Sequence, residues 1–225
     1  MISQLPKKRL LALLAPVLLV SVAIAAGDRI VIADFSGGID ARGVPAGWQL
    51  KEKSGKAEFG VVQDGDLHAL RLRSADTSYS IQKSVDLDVK QHPILTWKWK
   101  VTKLPAGGDF RKSKTDDQAA QLFLAFSKTK AIVYIWDTSA PQGLMKDAPA
   151  PPFMRIKAVV VRSGPAETGK WISEKRNVYD DYRKLYGQDP PPIQGVRLQI
   201  NSQHTETSAE SYFADVALEK AGMKQ

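Results

Sequence analysis

ILTWKWKV, residues 94–101, decides the fold. Leu95, Trp97, Trp99 and Val101 fall on one side of an extended chain while Thr96, Lys98 and Lys100 fall on the other, a repeat of two that an amphipathic helix does not produce. The segment reads as a strand with one face set against a core and one wet, basic face. Two more segments share the form. Leu70 and Leu72 alternate with Arg71 and Arg73, and Val196, Leu198 and Ile200 alternate with Arg197 and Gln199.

Outward from these strands the chain continues as short extended segments broken by Gly, Pro, Asp and Ser, the pattern of an all-β sandwich or barrel. Asp64-Gly65 tolerates the positive φ angles of a tight turn, so the segments on either side of it are expected to form a hairpin. Leu122–Phe126 and Ala131–Trp136 are apolar at nearly every position, which suits adjacent central strands covered on both faces, and Ile156–Val161 is similar. One helix is expected, at 178–186. There Val178, Tyr182, Leu185 and Tyr186 recur at helical spacing, Gly187 supplies a stop, and Pro190-Pro191-Pro192 cannot continue it. Residues 138–154, rich in Pro, Ala, Gly and Asp, are expected to form a long loop.

The 225 residues are 43% apolar and 25% charged with no Cys, which excludes collagen-like, disulfide-scaffold and wholly disordered classes, and with them thiol nucleophiles and thiolate metal sites. Lys7-Lys8-Arg9, the apolar run Leu10–Ile24 and the small-residue pattern Ala23-Ile24-Ala25 form the n-region, h-region and cleavage site of a signal peptide, residues 1–25. The run is interrupted by Pro16 and falls short of the ~20 residues a membrane span needs, which favours cleavage over an uncleaved anchor. The remaining residues, 26–225, are expected to form a single β-sandwich domain, periplasmic or secreted, with no membrane span after cleavage. The formal net charge is +8, and removing Lys7, Lys8 and Arg9 leaves +5. That excess is modest and no recognition motif accompanies it, so nucleic acid is not an expected partner.

Gly47-Trp48, PILTWKWKV at 93–101, TDDQAAQLFLAF at 115–126, IVYIW at 132–136, Trp171 with NVYDDYRKLYG at 177–187, PPPIQGVRLQI at 190–200 and SAESYFADVAL at 208–218 occur in this order. The succession resembles an exported bacterial family catalogued as domain of unknown function number three thousand and forty-seven. The resemblance implies a jelly-roll-like β-sandwich similar in outline to carbohydrate-binding modules, with no established activity and no catalytic residues to carry over. Where the family pattern runs into an Asp-rich segment, this chain reads Asn201-Ser202-Gln203-His204, so any cation held by those acids in relatives is not carried over.

If Arg71, Arg73, Lys98, Lys100 and Arg197 share one sheet, alternation gathers them on one strongly positive face. Like charges side by side destabilise a sheet, so such a face needs interleaved acids or an anionic partner. Tyr134 and Trp136, two residues apart, would add a stacking platform for sugar rings. The leading expectation is therefore a non-enzymatic module that binds an envelope polysaccharide or another anionic envelope component. One alternative is a polysaccharide hydrolase or lyase using Asp116, Asp117 or Asp137 as acid or base. Another is an envelope scaffold or protein-partner module. No cofactor is expected beyond a Ca²⁺ ion tying the first strand to the last through Asp34 and Asp215. His68, His92 and His204 stand in no metal-ligand spacing and read as incidental.

Overall fold

The computed structural model describes residues 27–222, and the expected signal peptide lies outside them. In chain order the strands are β1 (Arg29–Ala33), β2 (Gln49–Ser54), β3 (Glu58–Asp64), β4 (Leu67–Ala75), β5 (Ser78–Leu87), β6 (Ile94–Lys103), β7 (Ala120–Ala125), β8 (Lys130–Asp137), β9 (Met145–Asp147), β10 (Arg155–Ser163), β11 (Ile172–Asn177), β12 (Ile193–Asn201) and β13 (Ser208–Glu219). A single helix, α1 (Val178–Tyr186), joins β11 to β12.

They form a two-sheet, jelly-roll-like sandwich. The six-stranded sheet runs β11-β6-β13-β4-β3 with β1 also on β13, and the seven-stranded sheet runs β2-β5-β12-β7-β8-β10-β9. Within the twelve residues of β13 the register shifts between Ala214 and Ala217, and Asp215 takes a positive φ of 52°. The first half of β13 pairs with β4 and the second half with β1.

The alternation read at residues 94–101 holds. Leu95, Trp97, Trp99 and Val101 are buried, as are Leu70 and Leu72 on β4 and Val196, Leu198 and Ile200 on β12. The sheets meet through aromatic rings: Trp97 lies 5.5 Å from Tyr134, and Trp99 lies 5.9 Å from Trp136, centroid to centroid. Tyr134 and Trp136 are therefore core residues. Because Leu122–Ala125 of β7 and Ala131–Trp136 of β8 are apolar throughout, their other faces need cover too. Phe123, Val133 and Ile135 form a second cluster with Phe110, Ala140, Ala158 and Val160. Part of the cover is the segment at 138–154, which contains a short strand, β9, paired with β10.

Local signals acted where expected. Gly65, at φ 62°, turns β3 into β4. The Asn177 side chain accepts a hydrogen bond from the Asp180 amide at the start of α1, and Gly187, at φ 69°, ends the helix with its N–H donating to Arg183 O. Asp181 then accepts hydrogen bonds from the Arg176 guanidinium and the Tyr134 hydroxyl, tying α1 to both sheets. Among the described residues no helix is long and apolar enough to cross a membrane.

Trp99→Ala is expected to cost about 3–5 kcal/mol of unfolding free energy, whereas Lys98→Ala, one residue away on the wet face, should cost under about 1 kcal/mol. Guanidinium unfolding midpoints measure both, and comparable losses would refute the assignment of faces.

Candidate functional site

The cations expected on one face are divided between two. Arg71 and Arg73 (β4) and Lys98 and Lys100 (β6) lie on the outer side of the six-stranded sheet, while Arg197 (β12) lies on the outer side of the seven-stranded sheet. Alternation determines which side chains turn from the core; it does not determine which sheet a strand joins. On the six-stranded sheet every one of these cations is paired. Arg71 and Arg73 both meet Glu58 and Glu210, at 2.6–3.5 Å, Lys98 meets Asp215 at 2.7 Å, and Lys100 meets Asp64. Tyr212, in register between Arg71 and Lys100, and Trp171 flank the Lys100 ammonium at 4.5 and 5.3 Å from their ring centroids. That face compensates its own charge.

Arg197 is different. Among the described residues no carboxylate lies within ion-pair reach of its guanidinium, and its buried Nε has no hydrogen-bond partner. Burial holds its pKa below the ordinary arginine value, as expected for a cation moved away from water without a counter-charge. The guanidinium rests over Phe123, 5.0 Å from the ring centroid.

Three adjoining hollows meet at Arg197. The largest, about 880 Å³ of space open to solvent, is lined by Lys53, Asp116, Gln121, Phe123, Gln199, Asn201 and His204, with Pro149, Pro151 and Met154 as a wall. The others add Gln82, Lys83, Lys128 and Lys130 on one side and Lys51 and Glu52 on the other. Together they make a groove across the seven-stranded sheet. Its floor follows from strand parity, since Arg197, Gln199 and Asn201 project from the same face of β12. Gln121, in register with Gln199, is linked to it at 3.3 Å and to Asn201. The groove thus offers side-chain amides, which both donate and accept, around a half-buried guanidinium without a counter-charge, with lysines along its sides. Phe153, 70% exposed, stands next to Met154 in the wall.

The rings expected to stack on sugars cannot do so. Tyr134 donates its hydroxyl hydrogen bond to Asp181 at 2.9 Å, Trp136 donates to Gly164 O at 3.0 Å, and both lie between the sheets. Of the three candidate acids, only Asp116 lines the groove. Asp137 is fully buried and accepts three backbone hydrogen bonds, from Phe110, Ser139 and Ala140, at 2.7–3.0 Å. Asp117 is also fully buried. Its Oδ2 accepts from the Thr205 amide at 2.7 Å and hydroxyl at 2.8 Å, and its Oδ1 faces His204 Nδ1 at 3.3 Å. Asp116 accepts from the Gln118 amide at 3.1 Å, and burial pushes its pKa up to about 6.

Asp34 accepts hydrogen bonds from the Ser36 amide and hydroxyl at 3.1 and 3.0 Å, which lower its pKa, while Asp215 is engaged by Lys98. Among the described residues no group of three or more His, Cys, Asp or Glu is placed to hold a metal ion. Sequence reasoning missed His204, because it stands far along the chain from Asp117, the acid it faces, and no short motif spans that interval.

The profile of a family described as "Protein of unknown function (DUF3047)" matches residues 46–217. No curated protein sequence matches the chain. Among solved structures, the family 11 carbohydrate-binding module of the cellulosomal cellulase Lic26A-Cel5E of Clostridium thermocellum is similar at 10% identity and TM-score 0.47, covering 86% of this chain and 95% of its own. The endoglucanase cel12A from Rhodothermus marinus is similar at 10% identity and TM-score 0.48, with 85% and 99% covered. The xyloglucanase domain of NopAA from Sinorhizobium fredii is similar at 8% identity and TM-score 0.47, with 77% and 94% covered.

An uncompensated, half-buried cation opposes folding, so Arg197→Met should raise the unfolding free energy by about 1 kcal/mol, and a loss of stability in urea titration would argue against its unpaired state. Because the folded-state pKa of Asp116 lies above the ordinary 3.8, the fold favours its protonated form. Its contribution is complete below about pH 4 and is lost as pH rises through about 6. Asp116→Asn should therefore gain about 2–3 kcal/mol on the wild type between pH 4 and 7. Parallel stability curves for the two proteins would show that Asp116 is not perturbed.

Proposed function

The chain belongs to the DUF3047 family, and we propose that it is an exported protein that binds an acidic polysaccharide of the cell envelope in the groove centred on Arg197. The carrying observation is the unpaired guanidinium at that centre. A uronate carboxylate matches the planar fork of arginine and would supply the missing hydrogen bonds and the missing charge together. Around it, Gln82 and Gln199 present the mixed donors and acceptors that sugar hydroxyls need, with Gln199 held from below by Gln121 and, through it, Asn201. Lys53, Lys83, Lys128 and Lys130 along the groove favour a polyanion over a neutral chain.

The six-stranded face supports no such reading, since a ligand there would have to displace Glu58, Glu210, Asp64 and Asp215 from their cations. Export rests on Lys7-Lys8-Arg9 and the apolar run after them, and a periplasmic or secreted location would bring the groove to envelope glycans.

Affinity gel electrophoresis with embedded polygalacturonate tests the binding site. The wild type should be retarded, Arg197→Ala should weaken retention at least about tenfold, and Lys98→Ala plus Lys100→Ala should leave it unchanged. Retention should also weaken as salt rises. Retention by a neutral glucan with Arg197→Ala unaffected, or loss in the lysine double variant alone, would overturn the assignment.

A further inference from the structure

One end of the groove carries an arrangement that simple binding does not require. Asp117 has no solvent exposure, and Thr205 occupies its Oδ2 twice. Its Oδ1 is buried with no hydrogen bond, 3.3 Å from His204 Nδ1, and that nitrogen also lies 3.1 Å from the Asp116 carbonyl oxygen. Two acceptors at Nδ1 put the ring proton there and leave the lone pair on Nε2. The Gln203 amide nitrogen lies 3.1 Å from Nδ1 and 3.4 Å from Nε2. Gln203 Oε1 is buried without a partner, and reversing the amide would bring that oxygen to the ring as a further acceptor. An imidazole whose Nδ1–H is held by the Asp116 carbonyl oxygen, with a buried carboxylate oxygen 3.3 Å away, is a prepared proton acceptor.

His204 lines the same hollow as Asp116 and Lys53, and the Lys53 ammonium bears on the Asp116 carboxyl. Base, acid and cation therefore sit together at one end of a groove that offers arginine to a polyanion. Asp116 is the carboxylate lining this hollow, and Glu52, in the adjoining one, is engaged by the Ala57 amide at 2.8 Å, whereas glycoside hydrolysis ordinarily uses two carboxylates facing each other across the bond. A uronate has a chemistry open to this set. Its C5 proton is acidified by the adjoining carboxylate, and the sugar oxygen linked at C4 is placed to leave.

We propose that the groove, if it binds uronates as inferred above, also cleaves them by β-elimination, with His204 as general base, Asp116 as general acid, Lys53 as the counter-charge to the reacting carboxylate and Asp117 as the positioning residue for His204. His204 Nε2 takes the C5 proton, and the C5–H electron pair becomes the C4=C5 double bond. The C4–O bond breaks, and its electron pair leaves on the glycosidic oxygen, which receives the proton of the Asp116 carboxyl. Imidazolium and carboxylate return to their starting forms by exchange with solvent. No water is consumed and nothing is oxidised or reduced. Asp116 suits the acid role because burial keeps its proton to about pH 6, and Lys53 would oppose the negative charge that builds on the C6 carboxylate as the C5 proton departs.

The test incubates the protein with polygalacturonate, alginate and hyaluronan, following the ultraviolet absorbance of the conjugated C4=C5 product, reducing ends and gel retention. At least one polymer should give the absorbance. His204→Gln, a substitution at a partly exposed ring, should lower the rate about 10²-fold or more. Asp117→Asn should lower kcat with KM unchanged, a split that a purely structural role would not produce, and Arg197→Ala should raise KM. Retention without double bonds would overturn the elimination and leave the binding reading intact. Absence of retention on all three would overturn both. Reducing ends without double bonds, or a His204→Gln variant as active as the wild type, would overturn these residue roles.

Discussion

The two sheets are held in register by rings that cannot be moved to water. Trp97 and Trp99 leave β6 on one side and meet Tyr134 and Trp136 from β8, and Phe213 joins them from β13. Fully burying each such ring is worth about 2–3 kcal/mol, and packing at this density tolerates little displacement. Once those rings are inside, the pleat of β6, β4 and β12 sends Lys98, Lys100, Arg71, Arg73 and Arg197 outward. The placement of all five cations is a consequence of that seam.

What the molecule does with this outward charge differs between its two sides. On the six-stranded sheet, acids on β3 and β13 answer Arg71, Arg73, Lys98 and Lys100, which is the arrangement stability alone favours. On the seven-stranded sheet Arg197 is left with a phenyl ring beneath it and amides beside it. The orphan Nε of Arg197 and the Asp116 carboxyl, whose pKa burial raises, border the same groove, and the buried Oδ1 of Asp117 lies behind its His204.

The parts of this arrangement legible in the sequence are those set by near neighbours in the chain. Strand parity at 94–101, the Asp64-Gly65 hairpin and the capped helix at 178–186 depend on a few consecutive residues. The division of the cations was not legible, because β4 and β12 carry the same alternation and belong to different sheets. Tyr134 and Trp136 were misjudged for a related reason. Apolar residues at every position of 131–136 erase the parity signal, and the burial of the second face depends on a cover drawn from elsewhere in the chain. His204 becomes meaningful only when β12 and β13 close a turn over Asp116-Asp117.

If the uncompensated seven-stranded face meets the ligand, and the compensated face opposite does not, the difference is visible in NMR shifts of backbone and side chains during titration with a short oligogalacturonate. Perturbations should begin at Arg197 Nε and spread to Phe123, Gln121 and Gln199, with Arg71, Lys100 and Tyr212 unmoved. Shifts centred on Tyr212 and Lys100, with Arg197 silent, would place the ligand on the wrong sheet and refute the assignment.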